Sequence, residues 1–376
     1  MRPQRSSIQP WRSPVPMPNS SNPITNQRSM GTQRLSQAPS NPTPDQLAIA
    51  LGDPAGIGAE VTLKALAQRR SEQPMPVLVG CRRWLEATYQ QLRTTSSAPL
   101  ADPAAFEILD LPLEGAITPG QSSPICGDAS FHWLTAAVEL VQSGRCHSLV
   151  TAPITKTSWH AAGHPYPGQT ERLAELAGNL SASMLFTAQA PHGSWRLNTL
   201  LATTHIPLAA VPGQLNRELI SHKLDVLLAF CKRFEPHPHL VVAGLNPHAG
   251  EGGQLGLEES SWLEAALAEW QQRHPHVRLE GPLPPDTCWL GAAQAWAGQT
   301  KGPDGYLALY HDQGLIPVKL LAFDAAVNTT LGLPFLRTSP DHGTGLAIAG
   351  LGQARADSMA AAIATAEELG ASKPLN

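Results

Sequence analysis

Three histidines hold similar places in the sequence. His311 follows the apolar run Gly305–Leu309 in GYLALYHDQGLIPVK, His205 follows Leu200–Ala202 in LLATTHIPL, and His248 follows Leu240–Ala243 in LVVAGLNPHAGEGG. Each run reads as a buried strand, and each histidine stands just beyond it among Pro, Gly, Asn or Asp. In an open α/β sheet, ligands bind in the crevice beyond the carboxyl ends of the strands. Three imidazoles converging there would suit a divalent transition metal. Asp286, in PLPPDT, and Asp312 could orient those rings as hydrogen-bonded carboxylates. The plainer alternatives are hydrogen-bonded structural histidines, since the chain has fourteen, and aspartates that cap helices or form turns.

Lys156, Lys319 and Arg337 are candidates for holding a phosphate or carboxylate. They sit among Pro, Thr, Ser and Asn and not on helix faces. Arginine offers a two-pronged clamp and lysine a point charge. For Lys156 the plainer reading is a solvated surface cation. GDPAGIG, residues 52–58, joins a strand to a helix. Either its glycines and the helix N-terminus cradle an anion, or it is a tight turn. YHDQGLIPVK reads as a strand breaking into a loop. NTTLGLPFLRTSPDHGTG is polar and punctuated by glycine, and reads as a binding loop.

The elements that must position these residues follow a strand–helix alternation from Leu47 onward. LAIAL, PVLVG, FEILDL and SLVTAPI read as strands, followed later by SMLFTA, LNTLLATT, HLVVAGL and GYLALY. Helices are expected at Ala59–Arg69, Arg82–Leu92, around Ala129–Gln142, and at Leu215–Phe234, Glu258–Arg273 and Ser358–Leu369. That order predicts an α/β fold with a mostly parallel sheet covered on both faces. Pro/Gly-rich joints near His164–Gly168 and Gly281–Pro285 are candidate hinges. Residues 1–44 hold nine prolines and five arginines with no acidic residue, so this extension is expected to be disordered. It lacks the apolar stretch of a secretory signal. It loosely mimics a transit peptide, though an untidy extension, or a start codon assigned too early with Met30 as a candidate, is the simpler reading.

The remaining composition narrows the function. A net charge of −4 and a pI near 6.4 argue against a nucleic-acid surface. No apolar run reaches the eighteen or so residues of a membrane span. Five scattered cysteines without CxxC spacing suit reduced thiols and a cytoplasmic location.

Taken together, GDPAGIGAE, PGQTE, TTHIPL, GLNPHAGEGGQLGLEE, GPLPPDT, YHDQGLIPVK, VNTTLGLP and RTSPDHGTG resemble the 4-hydroxythreonine-4-phosphate dehydrogenase family of vitamin B6 biosynthesis. They run in order from Leu51 to about Gly352. The resemblance implies two α/β/α domains of the isocitrate/isopropylmalate dehydrogenase type, with a mostly parallel mixed sheet and the active site between them. The expected division is 45–165 with 305–376 on the cofactor side and 166–304 for metal, substrate and dimerisation. It also implies NAD or NADP, and one divalent ion (Zn, Mg, Mn or Co) on His205, His248 and His311. One of those histidines would come from the partner of a homodimer.

Gln169, Thr170, Lys319, Asn328 and Arg337 match substrate-binding positions, and DHGTGLAIAG, with Asp341, His342 and Gly343, matches the cofactor loop. The general base is open among Lys319, Asp312 and Asp286. The family reaction oxidises the secondary alcohol of 4-phosphooxy-L-threonine to a β-keto acid that then loses CO₂. One departure matters: the family's GHTE histidine is Gln169 here, which cannot become cationic. His164 is the nearest residue that could compensate. The departure keeps open a phosphorylated sugar acid, 4-phospho-threonate or 4-phospho-erythronate, as substrate. Phosphate acyltransferases share the superfold and are a further alternative.

Overall fold

The computed structural model describes residues 46–69 and 73–370; the extension 1–44 lies outside them. Eleven strands form one sheet. In chain order they are β1 Leu47–Ala50, β2 Val77–Gly80, β3 Glu107–Asp110, β4 Ser148–Thr151, β5 Ser183–Gln189, β6 Arg196–Leu201, β7 His239–Ala243, β8 Arg278–Leu283, β9 Gly305–Ala308, β10 Val327–Leu331 and β11 Leu336–Pro340. The spatial order is β3-β2-β1-β4-β11-β10-β5-β6-β9-β7-β8. Pairing is parallel except where β10 meets β11 and β5, and where β5 meets β6. This is the mostly parallel α/β sheet expected from the alternation, with the mixed pairing that the resemblance implies.

The parallel strands are buried because helices cover both faces, so they read as continuous apolar runs. Side chains still alternate between two cores with period two. Leu200, Leu240, Val242 and Leu307 face the core under helix Arg217–Cys231, while Leu201, Val241, Tyr306 and Ala308 face the one holding Leu315 and Val318 of helix His311–Ala322. A separate core packs β1, β2 and β4 against helices Gly58–Ala67, Pro124–Gln142 and Asp357–Gly370. On the sheet, β9 (residues 305–308) lies between β6 and β7, and the chain rejoins the first strands through β10 and β11.

Two segments differ from their sequence reading. VNTTL and LRTSP are strands in the middle of the sheet, not a loop; their β-branched residues suit a pleated surface, and only the stretch after Pro340 remains irregular. His311 opens a helix running to Ala322, with Pro317 inside it, where a loop was expected.

A buried latch joins helix Gly58–Ala67 to the segment around residues 352–354. Lys64 Nζ donates to Glu60 Oε1 (2.7 Å) and to the carbonyls of Gly352 and Ala354 (both 2.8 Å), while Ala354 N donates back to Glu60 Oε1 (2.8 Å). Both side chains are almost fully buried.

Candidate functional site

A cleft of about 920 Å³ opens beside the end of β4, the start of helix Gln169–Leu176, the loop after β6, and β10–β11. Its deepest charged group is Arg337, 4% exposed. Arg337 donates from Nε (3.0 Å) and Nη2 (2.7 Å) to Thr151 Oγ1, and from Nη1 to Thr330 Oγ1 (3.1 Å), its direct cross-strand neighbour. Nη2 also reaches Gln169 Oε1 at 3.4 Å. Every one of these partners is neutral, and no ion pair to Arg337 occurs among the described residues. Burial alone lowers its pKa to about 10. A buried charge without a counter-charge is costly, so this guanidinium is built to meet an anion. Asn328 Oδ1 and His342 Nε2, both of cleft-lining residues, are buried without a hydrogen-bond partner.

Gln169, Thr170, Asn328, Arg337, Asp341 and His342 therefore line one cavity, with His205 and Gly343. Sequence reasoning missed Thr151 and Thr330; both are strand threonines with no loop signature to single them out. It also undervalued Lys156, which is exposed but lines the same cleft.

The three histidines leave neighbouring parallel strands. β9 pairs with β6 on one side and β7 on the other, so His205, His311 and His248 emerge beyond the same edge of the sheet. The rings of His205 and His311 stand 5.4 Å apart. His311 Nδ1 lies 2.7 Å from Asp312 Oδ1, which leaves Nε2 for a ligand. His205 has its pKa lowered, mainly by burial and then by the charges of His311 and Lys156, with Glu171 opposing. A neutral imidazole is the form that binds a metal, so this pair fits such an ion. His248 does not join the two in any three-ligand cluster among the described residues; it projects from an exposed loop.

That loop has an unusual backbone. His248, Ala249, Gly250, Glu251 and Gly252 all have positive φ, between 45° and 79°. For the three that are not glycine, this conformation costs about 1–2 kcal/mol each. Glu259, 1% exposed, supplies the compensation. Its Oε1 accepts from the backbone N–H groups of Leu245 (2.8 Å) and Asn246 (2.7 Å), and its Oε2 from Asn246 Nδ2 (2.9 Å). Burial raises the Glu259 pKa, yet these hydrogen bonds outweigh it and the net shift is downward. Hydrogen bonds to a charged group contribute about 1.5–3 kcal/mol each, enough to offset the strain. Glu259→Gln should therefore speed amide exchange across residues 246–253 while the central strands stay protected; unchanged exchange would remove Glu259 from this role.

The other candidates are distributed as follows. Lys319 forms an ion pair with the carboxylate of Asp341, on the cleft wall. Asp286 is exposed on the turn after β8. His164 does not compensate for Gln169: it turns away to stack on Phe131 and bond Asp128, whereas Gln169 Nε2 donates to the Ala152 carbonyl (3.0 Å). In GDPAGIG the tight-turn reading prevails. Asp53 is fully buried, accepting from Ala55 N (2.9 Å), and a second anion there would be repelled. Gly52 has φ +73°, and a Cβ on it would lie 2.4 Å from the Pro153 carbonyl oxygen. The turn also donates from Ile57 N to Thr344 O (2.9 Å), so it braces two walls of the cleft.

Comparison with known proteins identifies the family. Residues 72–366 match the family model of the pyridoxal phosphate biosynthetic protein PdxA. A 4-hydroxythreonine-4-phosphate dehydrogenase from Synechococcus sp. (strain RCC307) is 66% identical over 328 residues, covering 86% of this chain and 99% of the relative. The D-threonate 4-phosphate dehydrogenase of Pectobacterium atrosepticum is 37% identical over 339 residues, covering 86% and 98%. The crystal structure of 4-hydroxythreonine-4-phosphate dehydrogenase from Klebsiella pneumoniae superposes with a TM-score of 0.73 at 36% identity, covering 88% of this chain and 99% of that one. Matched to that family model over most of its length, and to a relative 66% identical, the chain belongs to the PdxA family and is an oxidoreductase.

Proposed function

We propose that the chain oxidises 4-phosphooxy-L-threonine with NAD (or NADP) and a divalent ion to 2-amino-3-oxo-4-phosphooxybutanoate, which decarboxylates to 3-amino-2-oxopropyl phosphate on the way to pyridoxal 5'-phosphate. The observation that carries the reading is Arg337, a buried guanidinium faced only by neutral oxygens in the cleft. Arg337 holds the phosphate or carboxylate of the substrate, with Asn328 and Thr170 orienting it and Lys156 adding a point charge. Asp341, His342 and Gly343 receive the cofactor, and the open space beside Gly343 leaves room for it. When bound, the ion on the histidines supplies Lewis acidity and the nicotinamide supplies the hydride acceptor.

The hydroxyl proton must pass to a base as hydride leaves the carbon. Asp312 is committed to His311, and Asp286 lies on an exposed turn. Lys319 is favoured, since its partner Asp341 belongs to the cleft wall; to act it must first give up a proton to become the neutral amine, a form that the ion pair with Asp341 disfavours. His248 reaches an ion from the partner of a homodimer. Exposed apolar side chains beside the histidines support such a contact: Leu257 is 64% exposed after the His248 loop, and Leu320 is 80% exposed on the His311 helix.

NADH formation with 4-phosphooxy-L-threonine should vanish with chelator and return with Zn²⁺ or another divalent ion. His311→Ala should abolish turnover and weaken metal binding with the fold intact; full activity in metal-stripped buffer would sink the metal assignment. Gln169 supports a second reading, in which a phosphorylated sugar acid is the better substrate. Turnover of 4-phospho-D-threonate exceeding that of the amino acid would favour it.

A further inference from the structure

We infer that a second transition-metal site lies outside the cleft, on Asp128, His132 and His164. One ligand atom from each comes within 4.8 Å of the other two. Asp128 and His132 are one turn apart on helix Pro124–Gln142, so both point the same way. His164 comes from the segment between helices Lys156–Ala161 and Gln169–Leu176. Its Nε2 lies 3.0 Å from Asp128 Oδ1, and His132 Nδ1 lies 3.4 Å from Asp128 Oδ2. Ligands about 2.0–2.2 Å from a zinc-like ion at tetrahedral angles stand about 3.3 Å from each other; the two histidine–carboxylate spacings are near this, and side-chain rotation must close the remainder from within the 4.8 Å that spans the three.

The site is held from outside. The His164 ring stacks face to face on Phe131 (3.7 Å between centroids, 4° between planes), and its backbone N–H donates to Trp159 O (2.9 Å). The nearby cation Arg172, over the Phe131 ring, is neutralised by Glu175 at 2.8 Å. Asp128 and His132 also line an open groove of about 680 Å³ with Glu114, which gives an ion a way in and adds negative charge. His132 Nδ1 now faces the Asp128 backbone carbonyl at 2.9 Å. Binding requires its neutral Nε2–H tautomer, which gives up that contact and frees the Nδ1 lone pair. Two imidazoles with one carboxylate select Zn²⁺, Co²⁺ or Ni²⁺ over Mg²⁺ or Ca²⁺, which prefer oxygen.

An ion there would tie residues 162–167 to helix Pro124–Gln142. Both flanks of that segment, Lys156 on one side and Gln169 on the other, line the cleft. The site is thus a structural clamp behind the substrate wall, independent of which substrate is turned over.

Zinc bound per chain, by equilibrium dialysis of the untagged protein, and the rise in melting temperature on adding Zn²⁺ test it. His164→Ala should lose one zinc per chain. Its affinity for that ion should fall by more than the roughly 10- to 100-fold typical of removing an outer hydrogen-bond partner. The zinc-dependent rise in melting temperature should shrink with it. Asp128→Asn keeps a hydrogen-bonding side chain beside both histidines and guards against simple misfolding; it should behave the same way. If both variants bind as much zinc, as tightly, as the unaltered chain, the cluster is only a surface ion pair and the inference falls.

Discussion

Arg337→Met should lower kcat/KM for the proposed phosphorylated substrate by roughly a hundred- to ten-thousand-fold. Two hydrogen bonds from a guanidinium to an anion, at about 1.5–3 kcal/mol each, account for that range. Stability should move the other way or not at all. The guanidinium is buried among threonine and glutamine oxygens with no carboxylate beside it among the described residues, so an apolar side chain removes a desolvated charge. Arg337→Lys should be intermediate, because an ammonium cannot make the parallel pair of bonds. Steady-state kinetics and urea unfolding of the same preparations decide the matter. A variant that unfolds far earlier yet turns over normally would make Arg337 a structural residue.

The second large effect concerns the latch far from the histidines. Lys64→Met leaves the Glu60 carboxylate buried with only Ala354 N as a partner, and Glu60 Oε2 already has none. Removing one member of a buried ion pair costs about 3–5 kcal/mol. Restoring neutrality with Lys64→Met/Glu60→Gln should recover much of that loss, because the charge left alone by the single change has gone. Urea midpoints at constant m-value provide the measurement. Equal destabilisation in the single and double variants would mean that packing of the lysine stem, not its charge, secures Gly352 and Ala354.

Much of this architecture was legible because of where the parallel strands lie. LAIA, VLVG and HLVVA are buried on both faces, so they stand out as unbroken apolar runs, and the three histidines could be placed beyond β6, β7 and β9 from spacing alone. β10 and β11 were missed for the opposite reason. They are central strands built from Asn, Thr, Arg and Ser because they form the polar cleft wall, and polarity in a strand reads as a loop. The His311 helix was hidden by Gly314 and Pro317, residues that usually break helices. The left-handed turn at His248 had no local cue beyond its glycines. Its anchor, Glu259, lies thirteen residues beyond Asn246, so only the folded chain brings them together. Gln169 could be singled out in its motif, but its partners, Arg337 and the Ala152 carbonyl, come from distant parts of the chain.

The placement of β9 between β6 and β7 has a consequence for synthesis. β6 and β7 leave the ribosome first; β6 can pair with β5 and β7 with β8, but the edges they turn toward each other stay open until residues 305–308 follow. Thr203 Oγ1 donates to Leu309 O across 106 positions of sequence, which measures how late that insertion comes. Contacts this distant in sequence form slowly and leave apolar edges open in the interval. His205 and His311 therefore cannot come together before residues 305–308 are inserted, and a chain halted before Gly305 carries His205 without His311 beside an unfilled slot in its sheet.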